Sequence, residues 1–178
     1  MDEMLADEVK VCSLVAMIVR AIIAGNTVFT CGNGGSAAEA EHLVGELIGR
    51  YKIEREPLPA ISLTSGVPTL TCISNDYDFS QVFARPLKVL GKKGDILIMY
   101  STSGNSANVR MAGDVAFHMG IQTFLITGKH HYDWHSEIDG VINIPSEDTA
   151  RIQECTTILT HVICAAVDDL AASRRANI

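Results

Sequence analysis

The run Thr30-Cys31-Gly32-Asn33-Gly34-Gly35-Ser36 leads directly into a segment that carries His42 and Glu46. Residues 27–31 are β-rich and residues 36–50 have helical spacing, so the glycines sit between a strand and a helix. Glycines there let the backbone approach a ligand and adopt positive φ. The free N–H groups and dipole of the helix start attract an anion, by roughly 0.3–1 kcal/mol per charge at exposed sites and up to ~2 when partly buried. Ser36 adds a hydroxyl and is placed to cap the helix. The loop has neither GxGxxG spacing nor a Gly-Lys-Ser/Thr ending, which disfavours dinucleotides and Mg²⁺-bound triphosphates. His42 and Glu46, at i and i+4, share one helix face, so the pair suits joint metal ligation, joint proton transfer or a solvated contact.

A second loop of the same kind is Ser101-Thr102-Ser103-Gly104-Asn105-Ser106. It follows the apolar strand 96–100 and precedes a helix over 106–119, with Ser106 at the N-cap position. Four hydroxyl residues in six positions can satisfy several phosphate oxygens without a lysine, and a neutral cradle suits a sugar phosphate. Near the far end of the chain, Arg151-Ile152-Gln153-Glu154 opens a helix predicted over 149–172. Gln153, Thr157 and His161 form a stripe on one side of it. His161 reads as a core histidine or as a site residue, and Glu154 as an outward charge. Asn75-Asp76 lies in a predicted turn at 74–76, either as a polar pocket wall or as a helix cap. The run Lys129-His130-His131-Tyr132-Asp133-Trp134-His135 lacks clean metal-ligand spacing and reads as a solvated loop.

The elements that must position these residues alternate between apolar strands and helices. A helix is predicted over 4–24, strands over 27–31, 60–63, 96–100, 122–126 and 141–144, and helical pieces over 68–73 and 79–90. Strands apolar on both faces belong to a parallel sheet covered on both sides. The expected architecture is therefore an α/β three-layer sandwich with about five parallel strands, flavodoxin-like, whose ligands sit at the carboxyl ends of the strands. No linker or repeat appears, so residues 1–178 read as one domain: the first helix, an α/β core over about 25–145 and the last helix.

Composition bounds the function. Of the 178 residues, 47% are apolar, which excludes disorder, and the net charge of −7 disfavours duplex nucleic acid as a partner. There is no run of 18 apolar residues, so no membrane span is expected, and the acidic start Met1-Asp2-Glu3-Met4 argues against a targeting peptide. Cys12, Cys31, Cys72, Cys155 and Cys164 are odd in number and scattered, and read as free buried thiols of a reducing cytoplasm.

Taken together, the motifs resemble those of the sugar-isomerase (SIS) domain family and, within it, the phosphoheptose isomerases. The matching pieces are Cys31-Gly32-Asn33-Gly34-Gly35-Ser36, His42 and Glu46 with Gly49-Arg50-Tyr51, Asn75-Asp76, the run Ser-Thr-Ser-Gly-Asn-Ser-Ala-Asn over 101–108, Thr127-Gly128-Lys129, and the 151–154 run with His161. They cover about residues 25 to 165, in order. The resemblance implies sugar-phosphate binding at Asn33, Gly34, Gly35, Ser36, Asn75, Asp76, Ser101, Thr102, Ser103, Ser106, Gln153 and Glu46. It implies Glu46 and His161 as acid/base partners and one zinc per subunit held by His42, Glu46, Gln153 and His161. It further implies a homotetramer with sites at subunit interfaces, and interconversion of sedoheptulose 7-phosphate and D-glycero-D-manno-heptose 7-phosphate for lipopolysaccharide or related glycans. Two other readings are a non-catalytic binding module of the replication-initiator-associating type and an isomerase of another sugar phosphate. Three features depart from the family pattern. The region before the first strand is shorter by roughly one helix, the 130–135 run replaces a Gly-Gly pair, and Thr156 replaces a histidine.

Overall fold

The computed structural model describes residues 2–129 and 138–175, and side chains over 8–129 and 138–169. Helix α1 (Asp2–Ile23) precedes β1 (Val28–Gly32), α2 (Gly35–Ile48), β2 (Ala60–Ser62) and α3 (Val67–Asp76). A short 3₁₀ turn (Phe79–Gln81) leads to α4 (Ala84–Leu90), β3 (Ile96–Ser101), α5 (Ala107–Met119), β4 (Gln122–Thr127), β5 (Gly140–Asn143) and α6 (Thr149–Arg175). All pairings in the five-stranded sheet are parallel, in the order β2-β1-β3-β4-β5.

Alternation along the strands divides the core into two layers. Val28, Ile96, Ile98, Tyr100, Phe124, Ile126 and Ile142 face one side, where Leu14, Ile18, Leu43, Leu47, Ile152 and Ile163 of α1, α2 and α6 cover them. Phe29, Cys31, Leu97, Met99 and Leu125 face the other side, against Ile73, Leu87, Val109 and Ala112 of α3, α4 and α5. This is the αβα sandwich and flavodoxin-like strand order expected from the apolar strands. It follows that α2 leaves β1 toward one face and α5 leaves β3 toward the other. The carboxyl ends of these neighbouring strands form the crevice where ligands of such sheets bind.

Three expectations are corrected. The segment 74–76 is not a turn: α3 runs unbroken through it, because no Gly or Pro interrupts the helix before Asp76. Asp78, not Asp76, then starts the 3₁₀ turn, accepting from Ser80 N at 2.8 Å. Ser36 does not cap α2. Gly34 holds that position with φ 56° and ψ −122°, a conformation open to glycine, and no side chain caps the helix. All five cysteines are free, yet only Cys31 and Cys164 are buried; Cys12, Cys72 and Cys155 are exposed.

Candidate active site

Both glycine-containing loops open at the crevice. In the first, a Cβ at Gly32 would lie 2.6 Å from the Ser36 carbonyl oxygen, so the tight strand-to-helix turn excludes any side chain there. A Cβ at Gly35 would collide with the carboxamide of Gln153. Gln153 therefore rests directly on the first turn of α2, bringing α6 to the first loop. In the second loop, Ser101 and Ser106 place their hydroxyl oxygens 3.2 Å apart. Gly104, at φ 68°, turns the chain and donates to the Ser101 carbonyl at 3.1 Å. Ser106 stands at the N-cap of α5 as expected, but its hydroxyl meets Ser101 and makes no cap bond. Thr102 and Ser103 are half-buried beside it, and the Thr102 carbonyl accepts from Gly128 N at 3.0 Å.

The loops are tied to each other. Asn33 Nδ2 donates to Asn108 Oδ1 and Asn108 Nδ2 donates back to Asn33 Oδ1, both at 2.8 Å. This reciprocal amide pair joins the end of β1 to the first turn of α5, across the point where the two connections part. Asn108 is 2% exposed, so its amide is committed to that contact.

Two turns along α2 from the first loop, His42, Glu46 and the α6 residue His161 converge. One ligand atom of each lies within 4.8 Å of the others. His42 Nε2 stands 3.4 Å from Glu46 Oε1. The imidazoles of His42 and His161 meet edge to face, with centroids 5.0 Å apart at 85°. Tyr51 stacks on His161, at 5.5 Å and 18°. His161 is thus half-buried, in contact with two rings and within reach of Glu46.

Sequence spacing did not single out Glu39, which lies behind this cluster. Thr157 Oγ1 on α6 donates to Glu39 Oε1 at 2.6 Å. Glu39 Oε2 is buried, accepts no hydrogen bond among the described residues, and faces His42 Nδ1 at 3.9 Å. A carboxylate behind one ring nitrogen leaves the other nitrogen to face the cluster, the arrangement metal-binding histidines commonly have. Two imidazoles and a carboxylate converging on one point, with an orphaned carboxylate oxygen behind one imidazole, fit a zinc ion. Glu39 could have been found from its i−3 spacing to His42, although two other glutamates on α2 compete for notice.

Other candidates lie elsewhere. Asn75 and Asp76 are exposed at the end of α3, where Asn75 Nδ2 donates to Asp76 Oδ1 at 2.8 Å and Cys72 donates to Asp76 Oδ2. The bond from Asn75, then that from Cys72, holds the Asp76 carboxyl below its usual range. Glu154 is an outward charge paired with Arg151 at 2.8 Å. Thr156 is buried and donates to the Ile152 carbonyl within its own helix. The run from His130 to His135 lies outside the described residues.

A profile of the SIS domain matches residues 3–128. The chain is 44% identical over 156 residues to a phosphoheptose isomerase from Alteromonas mediterranea, covering 86% of this chain and 79% of that one. Its structure is similar to that of a phosphoheptose isomerase from Neisseria gonorrhoeae (TM-score 0.84, 34% identity, 90% and 85% of the two chains). It is similar also to one from Francisella tularensis (TM-score 0.81, 31% identity, 94% of each chain). With the sheet order, the paired loops and the converging His42, Glu46 and His161, these likenesses show that the chain belongs to the SIS-domain family and, within it, to the phosphoheptose isomerases.

Proposed function

We propose that this chain is an aldose–ketose isomerase converting sedoheptulose 7-phosphate to D-glycero-D-manno-heptose 7-phosphate, a step in heptose synthesis. The observation that carries this reading is the convergence of His42, Glu46 and His161 two turns from a double phosphate loop. A non-catalytic binding module has no need of that acid/base set.

The phosphate sits between the loops at 32–36 and 101–106, where Asn33, Gly34, Gly35, Ser36, Ser101, Thr102, Ser103 and Ser106 offer backbone and hydroxyl donors. Gln153 serves the sugar hydroxyls. Binding energy taken there, remote from the reacting carbons, holds the sugar in place for proton transfer. Glu46 removes a proton from C1 of the ketose while His161 gives one to the C2 oxygen, leaving a cis-enediol. Glu46 then returns its proton at C2 as His161 takes the proton of the C1 hydroxyl, and the aldose forms with no net gain or loss of protons. Each positioned acid or base contributes roughly 10²–10⁴ in rate. One zinc per subunit, held by His42, Glu46, Gln153 and His161, supplies Lewis-acid polarisation of a sugar oxygen or order among these side chains.

The active assembly is a homotetramer, with residues 1–178 as one SIS domain in each subunit. In support, Ile158 and Val162 of α6 and Ile48 of α2 are large apolar side chains exposed beside the site. Free thiols suit the cytoplasm, and no helix among the described residues is long and apolar enough to cross a membrane. Incubating the protein with sedoheptulose 7-phosphate, with and without a zinc chelator, tests the reading. The expected result is aldose product, lost in Glu46→Gln while sugar-phosphate binding is kept. Near-normal turnover in that variant would remove Glu46 from the mechanism.

A further inference from the structure

The layer between α2 and α6 contains an ion pair that the reaction does not use. Arg55 and Asp168, each with a side chain 3% exposed, meet at 2.9 Å. Burial alone would make such charges costly unless every lone pair and proton finds a partner. Here the partners are backbone groups at two places beside the cluster. Arg55 Nη2 donates to the Glu46 carbonyl at 2.7 Å, and Nη1 donates to the Leu47 carbonyl at 2.8 Å. These carbonyls belong to the last turn of α2, which has no helical donors of its own to fill them. Asp168 Oδ2 accepts from Lys52 N at 2.9 Å and Ile53 N at 3.2 Å, fixing the segment just after Tyr51. Asp168 lies seven residues beyond His161 on α6, about two turns along the same face.

We propose that Arg55 and Asp168 are positioning residues, which fix the Glu46 end of α2 and the Tyr51 segment against His161. Without the guanidinium fork, the Glu46 carbonyl loses its side-chain partner and Leu58 N, at 3.0 Å, alone remains on the Leu47 carbonyl, so the last turn of α2 loosens at Glu46. Without the carboxylate, the backbone that carries the ring stacked on His161 is released. The phosphate loops lie at the other end of α2, so the pair governs the reacting end of the site and not the binding end. The inference rests on the isomerase reading for its kinetic consequence only.

Arg55→Lys provides the test, because lysine keeps the charge but cannot reach Asp168 and both carbonyls at once. Three measurements are made: kcat and KM for sedoheptulose 7-phosphate, zinc affinity of the metal-free protein against a chelating dye, and the imidazole NMR shifts of His42 and His161. The expected result is a fall of about 10- to 100-fold in kcat with KM within about threefold, as for a misplacement near 1 Å at a reacting group. Zinc affinity should fall about tenfold, and the shifts of both histidines should move. Leu87→Ala, in the opposite core layer, supplies a matched loss of thermal stability and should leave kcat, zinc affinity and the shifts unchanged. A folded Arg55→Lys protein with wild-type kcat and zinc affinity overturns the proposal, as does an equal loss in Leu87→Ala. Should Arg55→Lys fail to fold, Asp168→Asn is read in the same way, and failure of both makes the pair a folding requirement and overturns it too. If wild-type protein shows no isomerase activity, the isomerase reading fails, while zinc affinity and NMR still decide the positioning role.

Discussion

Two glycines of α2, ten residues apart, should respond to alanine in opposite ways. At Gly45, in the helix interior, an added Cβ meets nothing within 4 Å. Alanine there removes the entropy cost of a helical glycine, about 0.5–1 kcal/mol. For a chain of this length that raises Tm by roughly 2–4 °C, with kcat/KM unchanged. At Gly35, in the first turn, the same Cβ overlaps the Gln153 carboxamide, which must retreat by about 1 Å to reach contact distance. The obstacle is the far end of a flexible side chain, so folding stability changes little, within about 1 kcal/mol of wild type. The displaced amide no longer meets its ligand. Loss of one hydrogen bond to a sugar hydroxyl, about 0.5–1.5 kcal/mol, corresponds to a fall of roughly 2- to 10-fold in kcat/KM. Thermal melts by circular dichroism and steady-state kinetics on the two variants separate these effects. A Gly35→Ala enzyme with wild-type kcat/KM would refute the placement of Gln153 in the working site. A lowered Tm for Gly45→Ala would show that another surface covers this face of α2.

Two further outcomes follow from the same geometry. Asn108→Leu breaks both bonds of the amide pair with Asn33, so the loops lose their link; KM for the sugar phosphate should rise about tenfold with kcat within threefold, and an unchanged KM would show that the loops hold their places unaided. Burial raises the Asp168 carboxyl, but bonds from Lys52 N, the Arg55 side chain and Ile53 N, with the Arg55 charge, outweigh it and hold the group below its ordinary 3.8. A folded-state value below the unfolded one gives stability that is present above about pH 4 and lost as pH falls through the folded value. Acid unfolding followed by circular dichroism should therefore be less steep in Asp168→Asn, and an unaltered profile would show that other carboxylates carry the acid transition.

The parts of this fold that could be read from sequence are those decided by neighbours in the chain. Val28 to Cys31 and Ile96 to Tyr100 are apolar on both faces, and only a sheet covered on both sides accommodates them. The glycines at 32, 34 and 35 could be recognised as a turn into a helix, although their separate duties could not. Gly34 supplies the backbone angles, Gly32 admits the Ser36 carbonyl, and Gly35 admits a side chain from 118 positions away. The same limit explains the misplaced turn at 74–76. Ser, Asn and Asp favour turns in isolation, but here the helix continues and the Asn75 and Asp76 side chains bond to each other, with Cys72 as a second partner of Asp76.

What could not be read is the support beneath the reacting groups. Glu39 finds Thr157, Asn33 finds Asn108, and Arg55 finds Asp168 only after the sheet has brought distant segments together, at separations of 118, 75 and 113 residues. No periodicity reports such pairs. His42 and Glu46 differ in this respect, because a helix fixes their spacing before any tertiary contact forms. The division has a chemical consequence. Side chains proposed to touch substrate were accessible through local motifs, and the long-range partners of the groups that support them were not. A variant that keeps every motif residue but loses Glu39 or Arg55 should therefore look intact in sequence and still turn over poorly.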